Sequence, residues 1–274
     1  MAVRTKTREE PRTGTFPNGM EYLTWGDGPR ALLVLPGGPG SSVPSGLTRR
    51  ASMRWFAPFL PAGYTIWLVT RRRHMPAGHS VADIADDYAG LIAEQFGGSV
   101  HLVVAESYGG MVAQHLAAAH PSSANRVALV VTGCEVNAWG KAVDRRLADA
   151  LRRGDRTAAG AAFAEYALPG DRWRAVRRLL GPLVARSALS VTPTEDLLVE
   201  LESELAFDSR SVLPRITAPV LLICGDRDQF FPPEVVRETA ALIPDCRLTW
   251  YPGAGHVRAA SSRQVPRDVL AFAP

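Results

Sequence analysis

The string Ala105-Glu106-Ser107-Tyr108-Gly109 joins a valine-rich run ending at Val103-Val104 to an alanine-rich amphipathic stretch, Met111 to His120. A strand that reverses straight into a helix crowds the residues two before and two after its apex, so only small side chains fit there. Ala105 and Gly109 meet that demand. Ser107 then stands at the apex, at the positive end of the following helix, where negative charge developing on a substrate is favoured. Such a hydroxyl becomes a nucleophile when a base takes its proton and an acid orients that base. The bland alternative is a serine that only caps a helix.

Partners for that chemistry come later in the chain. Val220 to Cys224 is an apolar run leading into Gly225-Asp226-Arg227-Asp228, and Leu248 to Tyr251 leads into Pro252-Gly253-Ala254-Gly255-His256. Six histidines compete for the role of base. His115 and His120 belong to the helix after Ser107, His101 opens a strand, and His74 and His79 sit in an arginine-rich loop, Arg71 to His79. Only His256 combines a preceding strand with a small-residue approach that leaves room for the ring. For the acid, Asp228, Asp226 and Glu135 all stand open at this point.

Serine, then acid, then histidine, each at the C-terminal end of a strand, resembles the α/β-hydrolase superfamily, and the resemblance covers nearly the whole chain. Ala31-Leu32-Leu33-Val34-Leu35-Pro36-Gly37-Gly38-Pro39-Gly40 adds a strand followed by a glycine-rich loop, which corresponds to that family's oxyanion loop. The resemblance implies Ser107 as nucleophile, His256 as base, and Asp228 as acid, since members with Gly-Asp-x-Asp use the second aspartate. Asp226 is then a turn residue. The resemblance also implies the backbone N–H groups of Gly38 and Tyr108 as oxyanion donors. Pro36 stands where members usually carry histidine, and neither Pro36 nor Pro39 has an N–H to give, which leaves Gly37, Gly38 and Gly40. The loop further resembles that of proline iminopeptidases, which carry His-Gly-Gly-Pro-Gly and hold a free amine with cap carboxylates. Glu200, Glu202 and Glu204 could serve, but they read as solvent-facing.

The elements that must position these residues follow from periodicity. Gly19 to Trp25 reads as an early hairpin, and strands are expected at Ala31–Leu35, Tyr64–Val69, Val100–Ala105, Arg126–Thr132, Val220–Cys224 and Arg247–Tyr251, with a helix over Val81–Phe96. Strand–helix alternation implies an α/β fold, a mostly parallel sheet with helices on both faces. Residues 1–134 and 215–274 are expected to form that core and residues 135–214 an inserted helical cap, with helices at Trp139–Leu151, Thr157–Ala167, Asp171–Leu180 and Thr194–Leu205. The arginines of the first half of the insertion and the acids of its second half read as solvated helix faces. Trp139, Phe163, Tyr166, Trp173 and Phe207 read as the core of the insertion, and Phe230-Phe231 as a plug at the sheet edge.

Composition bounds the rest. A chain of 274 residues that is 46% hydrophobic can bury one large core. Its net charge of +4 comes from dispersed arginines with no aromatic-interleaved basic stripe, so no nucleic-acid partner is expected. Met1 to Pro17 is charged without an apolar centre and reads as no signal peptide, and no run approaches a membrane span. Cys134, Cys224 and Cys246 are scattered and read as thiols, with neither a disulfide framework nor metal spacing. The expectation is a cytoplasmic enzyme, without metal or cofactor, acting on a small molecule: a hydrolase of carboxylic esters of a small, largely apolar substrate. Other readings are an iminopeptidase, a carbon–carbon bond or lactone hydrolase, and a silent small-ligand binding protein.

Overall fold

The computed structural model describes residues 10–273, so the first nine residues of the Met1–Pro17 stretch lie outside the described residues. Eight strands form one sheet: β1 (Arg12–Thr15), β2 (Glu21–Trp25), β3 (Arg30–Leu35), β4 (Tyr64–Val69), β5 (Leu102–Glu106), β6 (Val127–Val130), β7 (Val220–Gly225) and β8 (Cys246–Tyr251). Their order is β1-β2-β4-β3-β5-β6-β7-β8. The first two pair antiparallel, so the early hairpin exists but starts at Arg12, and the range expected for it, Gly19 to Trp25, holds only its second strand; β2 also runs antiparallel to β4. From β4 to β8 every pairing is parallel.

Parallel strands buried on both faces are apolar throughout, and alternation sends neighbours to opposite sides. Leu33, Leu35, Val103, Ala105, Val127 and Leu129 pack into a core with Ile84, Tyr88, Leu91 and Ile92 of α2 (Val81–Gln95) and Met111, Val112 and Leu116 of α3 (Tyr108–Ala119). Leu32, Val34, Leu102, Val104, Ala128 and Val130 form the opposite core with Phe56 of α1 (Gly46–Phe56). Ser80 and Asp83 close a capping box at the start of α2.

Between β6 and β7 lie α4 (Ala138–Arg152), α5 (Arg156–Ala164), α6 (Arg174–Val184) and α7 (Thr194–Leu205), close to the four expected helices. Leu147, Ala148, Ala159, Leu189, Leu197 and Leu201 give this helical insertion its own small core. After β7 come α8 (Pro233–Leu242), then β8, α9 (His256–Ala260) and α10 (Val265–Phe272).

Two expectations about the insertion are corrected. The acids of α7 are only partly solvated: Glu195 and Glu202 are exposed as expected, but Asp196, Glu200 and Glu204 are buried, on the side of α7 that packs toward the rest of the protein. Asp196 accepts hydrogen bonds from the backbone N–H of His74 and Met75, which fastens α7 to the arginine-rich loop. The aromatic residues are not all internal to the insertion either. Phe207 belongs to the main core, and Trp139 and Tyr166 pack edge-on against Phe230, joining the insertion to the segment after β7.

Candidate active site

Ser107 sits between β5 and α3 with φ 51° and ψ −115°, a conformation that L-residues seldom adopt. The turn is held on both sides: Ser107 N–H donates to Val130 O of β6 at 2.9 Å, and its carbonyl accepts from Gly110 and Met111. A Cβ at Gly109 would lie 2.3 Å from Leu35 O, so any larger residue would collide with the β3 backbone. This is the physical basis for the small residue two positions after the serine. Strain at Ser107 is sustained by the packing around it.

The other two residues arrive from the neighbouring strand ends. Asp228 lies just past β7, where its Oδ1 accepts from the backbone N–H of Phe230 at 2.8 Å and of Phe231 at 3.1 Å. Its Oδ2 is 2.8 Å from His256 Nδ1 at the start of α9, and His256 Nε2 is 3.0 Å from Ser107 Oγ. A carboxylate can only accept, which places the imidazole proton on Nδ1 and leaves Nε2 free to accept from the serine hydroxyl. Phe230 and Phe231 do not plug the sheet edge alone. Their rings lie 4.9 and 5.9 Å from the His256 ring and wall it in.

Other candidates are placed elsewhere. Asp226 accepts from the Gly253 N–H, a turn role. Glu135 pairs with Arg210 at 2.6 Å at the surface. Glu202 pairs with Arg152, also exposed. None of these reaches Ser107 or His256 through a hydrogen bond among the described residues.

The glycine-rich loop after β3 is gripped by a residue that the sequence reading gave no role. Arg71 is 1% exposed, directly after β4 and Thr70. Its Nη1 donates to Pro36 O at 2.8 Å and its Nη2 to Gly37 O at 3.2 Å. Glu200 of α7, equally buried, accepts from Arg71 Nε at 2.7 Å and from Nη2 at 3.0 Å. The guanidinium also lies over the Tyr108 ring, 4.5 Å from its centroid. Burial disfavours the charge, but Glu200 outweighs it and holds Arg71 above the usual arginine range.

The same carboxylate takes the Gly40 N–H at 2.5 Å, which withdraws Gly40 from the amides open to a substrate. Gly37 and Gly38 remain. Gly38 has φ +151°, and a Cβ there would lie 2.6 Å from Arg71 Nη2. Only glycine suits this position.

Deeper in the insertion a second acidic group is closed off. Asp144 Oδ1 accepts from Tyr166 Oη at 2.7 Å, while Asp144 Oδ2 and Glu204 Oε2 are buried with no hydrogen-bond partner among the described residues. Burial pushes the Asp144 carboxyl up to about 7 and Glu204 well above its ordinary range. Two buried carboxyls that repel one another favour holding at least one proton.

Beside His256 opens a cavity of about 850 Å³, lined by Pro36, Val43, Trp55, Phe56, Glu106 and other residues. Val34, Leu68, Val104 and Val130 of the sheet form its floor. A larger hollow of about 990 Å³ lies on the insertion among Arg146, Glu165 and Arg177 and touches none of Ser107, Asp228 and His256.

The sequence profile of the alpha/beta hydrolase family matches residues 32–271, which spans the sheet, the insertion and all three residues of the hydrogen-bonded chain. The chain belongs to the alpha/beta hydrolase family. It is therefore a hydrolase. A pimeloyl-[acyl-carrier protein] methyl ester esterase from Chromobacterium violaceum is 31% identical over 66% of this chain and 72% of its own length. A protein named as a carbamate hydrolase, RutD, from Yersinia enterocolitica is 27% identical over 72% of this chain and 70% of its own. Among solved structures, the enol-lactonase of Burkholderia xenovorans superposes with a TM-score of 0.69 at 22% identity, covering 93% of this chain and 97% of that one. At that identity the likeness speaks for the fold.

Proposed function

We propose that this alpha/beta hydrolase cleaves a carboxylic ester of a small, largely apolar substrate through Ser107, His256 and Asp228. The observation that carries the reading is the unbroken hydrogen-bond chain, 2.8 Å from Asp228 to His256 and 3.0 Å from His256 to Ser107. In this mechanism Ser107 attacks the ester carbonyl while His256 takes its proton, then returns it to the departing alcohol. Water, deprotonated by His256, splits the acyl-enzyme and restores the serine. Asp228 holds the imidazole tautomer, and its own position is set by the two phenylalanine amides.

The Gly38 and Tyr108 amides are the proposed donors to the developing oxyanion. Gly40's engagement with Glu200 supports Gly38 over Gly40, and Tyr108 N–H lies at the first turn of α3. The helical insertion of residues 135–214 serves as the cap, and the apolar lining beside His256 favours an acyl or alcohol part with little polarity. Relatives named as a methyl ester esterase and a carbamate hydrolase act on related carbonyl groups, which supports ester chemistry.

An iminopeptidase role finds less support. Glu200 is already engaged by Arg71 and Gly40, and Glu202 faces Arg152, so neither is free for a substrate amine. Three free cysteines support a reducing, cytoplasmic setting. Among the described residues no helix is long and apolar enough to cross a membrane. The test is a panel of p-nitrophenyl esters of increasing acyl length beside proline p-nitroanilide, on wild type and Ser107→Ala. Ester turnover lost in the variant is the expected result; amide turnover without ester turnover would overturn it.

A further inference from the structure

Glu106 precedes the serine and has no part in the hydrogen-bond chain. Alternation along β5 sends it to the same side as Leu102 and Val104, away from α2 and toward the α1 side of the sheet. Its side chain is exposed there and faces the 850 Å³ cavity. Among the described residues it makes no side-chain hydrogen bond and no ion pair.

A carboxyl with no protein partner at the wall of a largely apolar hollow, beside the reacting serine, gives that hollow a negative end. The titratable groups facing the hollow are Glu106, Glu21 and His256, with no lysine or arginine among its lining residues. Glu21 is paired with Arg73 behind it. An anionic substrate would meet repulsion from Glu106 with nothing to offset it. Trp55 and Phe56 line the same hollow, and aromatic faces attract cations.

We propose that Glu106 determines specificity in this cavity by holding a cationic ammonium group on an otherwise apolar ester. The inference rests on the hydrolase reading above and adds the class of substrate. The surrounding protein shifts the Glu106 carboxyl upward, with the neighbouring His256 opposing the shift, and an incoming cation favours its ionised form.

A matched pair of thioesters tests this: S-butyrylthiocholine against its uncharged carbon isostere, S-(3,3-dimethylbutyl) thiobutyrate, both followed by thiol release. Wild type is expected to favour the cation by about tenfold or more in kcat/KM, the order of a coulombic attraction between unit charges a few ångströms apart near a protein surface. In Glu106→Gln the ratio falls toward one, and Glu106→Asp recovers part of it. The wild-type ratio also falls as pH is lowered and Glu106 takes up a proton. Absence of a preference in wild type, or a preference that survives Glu106→Gln, overturns the proposal while leaving the hydrolase reading intact. Binding of benzyltrimethylammonium, measured by calorimetry, decides the matter independently of turnover. Should neither thioester be cleaved, the hydrolase reading is what suffers. Binding to wild type that is lost in Glu106→Gln would then still support the proposal, and equal binding to both would end it.

Discussion

Replacing Glu200 by leucine strands the Arg71 guanidinium, 1% exposed, without its carboxylate. Three hydrogen bonds vanish at once: two from Arg71 and one from the Gly40 amide. An unpaired buried charge of this kind costs about 3–5 kcal/mol. At about 2–4 °C per kcal/mol for a chain of this size, the melting temperature is expected to fall by roughly 6–20 °C. Adding Arg71→Met removes the stranded charge, and apolar replacement of a whole buried pair is often close to neutral. Most of the lost stability should return in the double variant. Activity should not. Arg71 is also what holds the Pro36 and Gly37 carbonyls, so without it the loop carrying Gly38 loses its anchor. A mispositioned oxyanion donor predicts kcat/KM on p-nitrophenyl butyrate down by roughly 10²–10³-fold in the double variant. Thermal unfolding and ester kinetics on the single and double variants form a complete cycle. Recovery of activity together with stability would refute the idea that the pair shapes the loop. An unchanged melting temperature in Glu200→Leu would refute the energetic argument itself.

Further outcomes follow from the same geometry. Asp228→Asn should lower kcat by about 10⁴-fold through the wrong imidazole tautomer, whereas Asp226→Asn, which touches only the Gly253 turn, should change it little. Gly109→Ala forces a methyl against Leu35 O and should yield a destabilised protein, lowered by several °C, that reacts poorly with serine-directed probes. Asp144 binds its proton more tightly folded, at about 7, than in the unfolded chain, where a carboxyl has its ordinary 3.8, so wild-type stability should decline as pH rises through that window. Asp144→Asn keeps an acceptor for Tyr166 and carries no charge. It should melt above wild type at pH 8, by up to about 4 kcal/mol in stability, with the gap closing at pH 4; a gap independent of pH would contradict this.

What the sequence disclosed and what it hid divide along a physical line. Ser107 and Gly109 announce themselves because a strand-to-helix reversal is a local constraint, visible within five residues. His256 and Asp228 stand at strand ends, and strands are legible from their apolar runs. Arg71 and Glu200 lie 129 positions apart and meet only after the insertion folds back over the loop. Arg71-Arg72-Arg73 looks like a solvated run, and nothing in its neighbours says that one guanidinium turns inward. The α7 acids look like an outer face because their burial depends on which side of that helix meets the sheet. Glu106 looks like any residue between Ala105 and Ser107, since a lone position does not reveal that a cavity lies beside it.

Covalent capture tests the central claim most directly. Wild-type protein treated with a fluorophosphonate, digested and sequenced by mass spectrometry should carry a single adduct on Ser107, and labelling should slow sharply in His256→Ala. An adduct on another residue, or no adduct on a folded protein, would contradict the account.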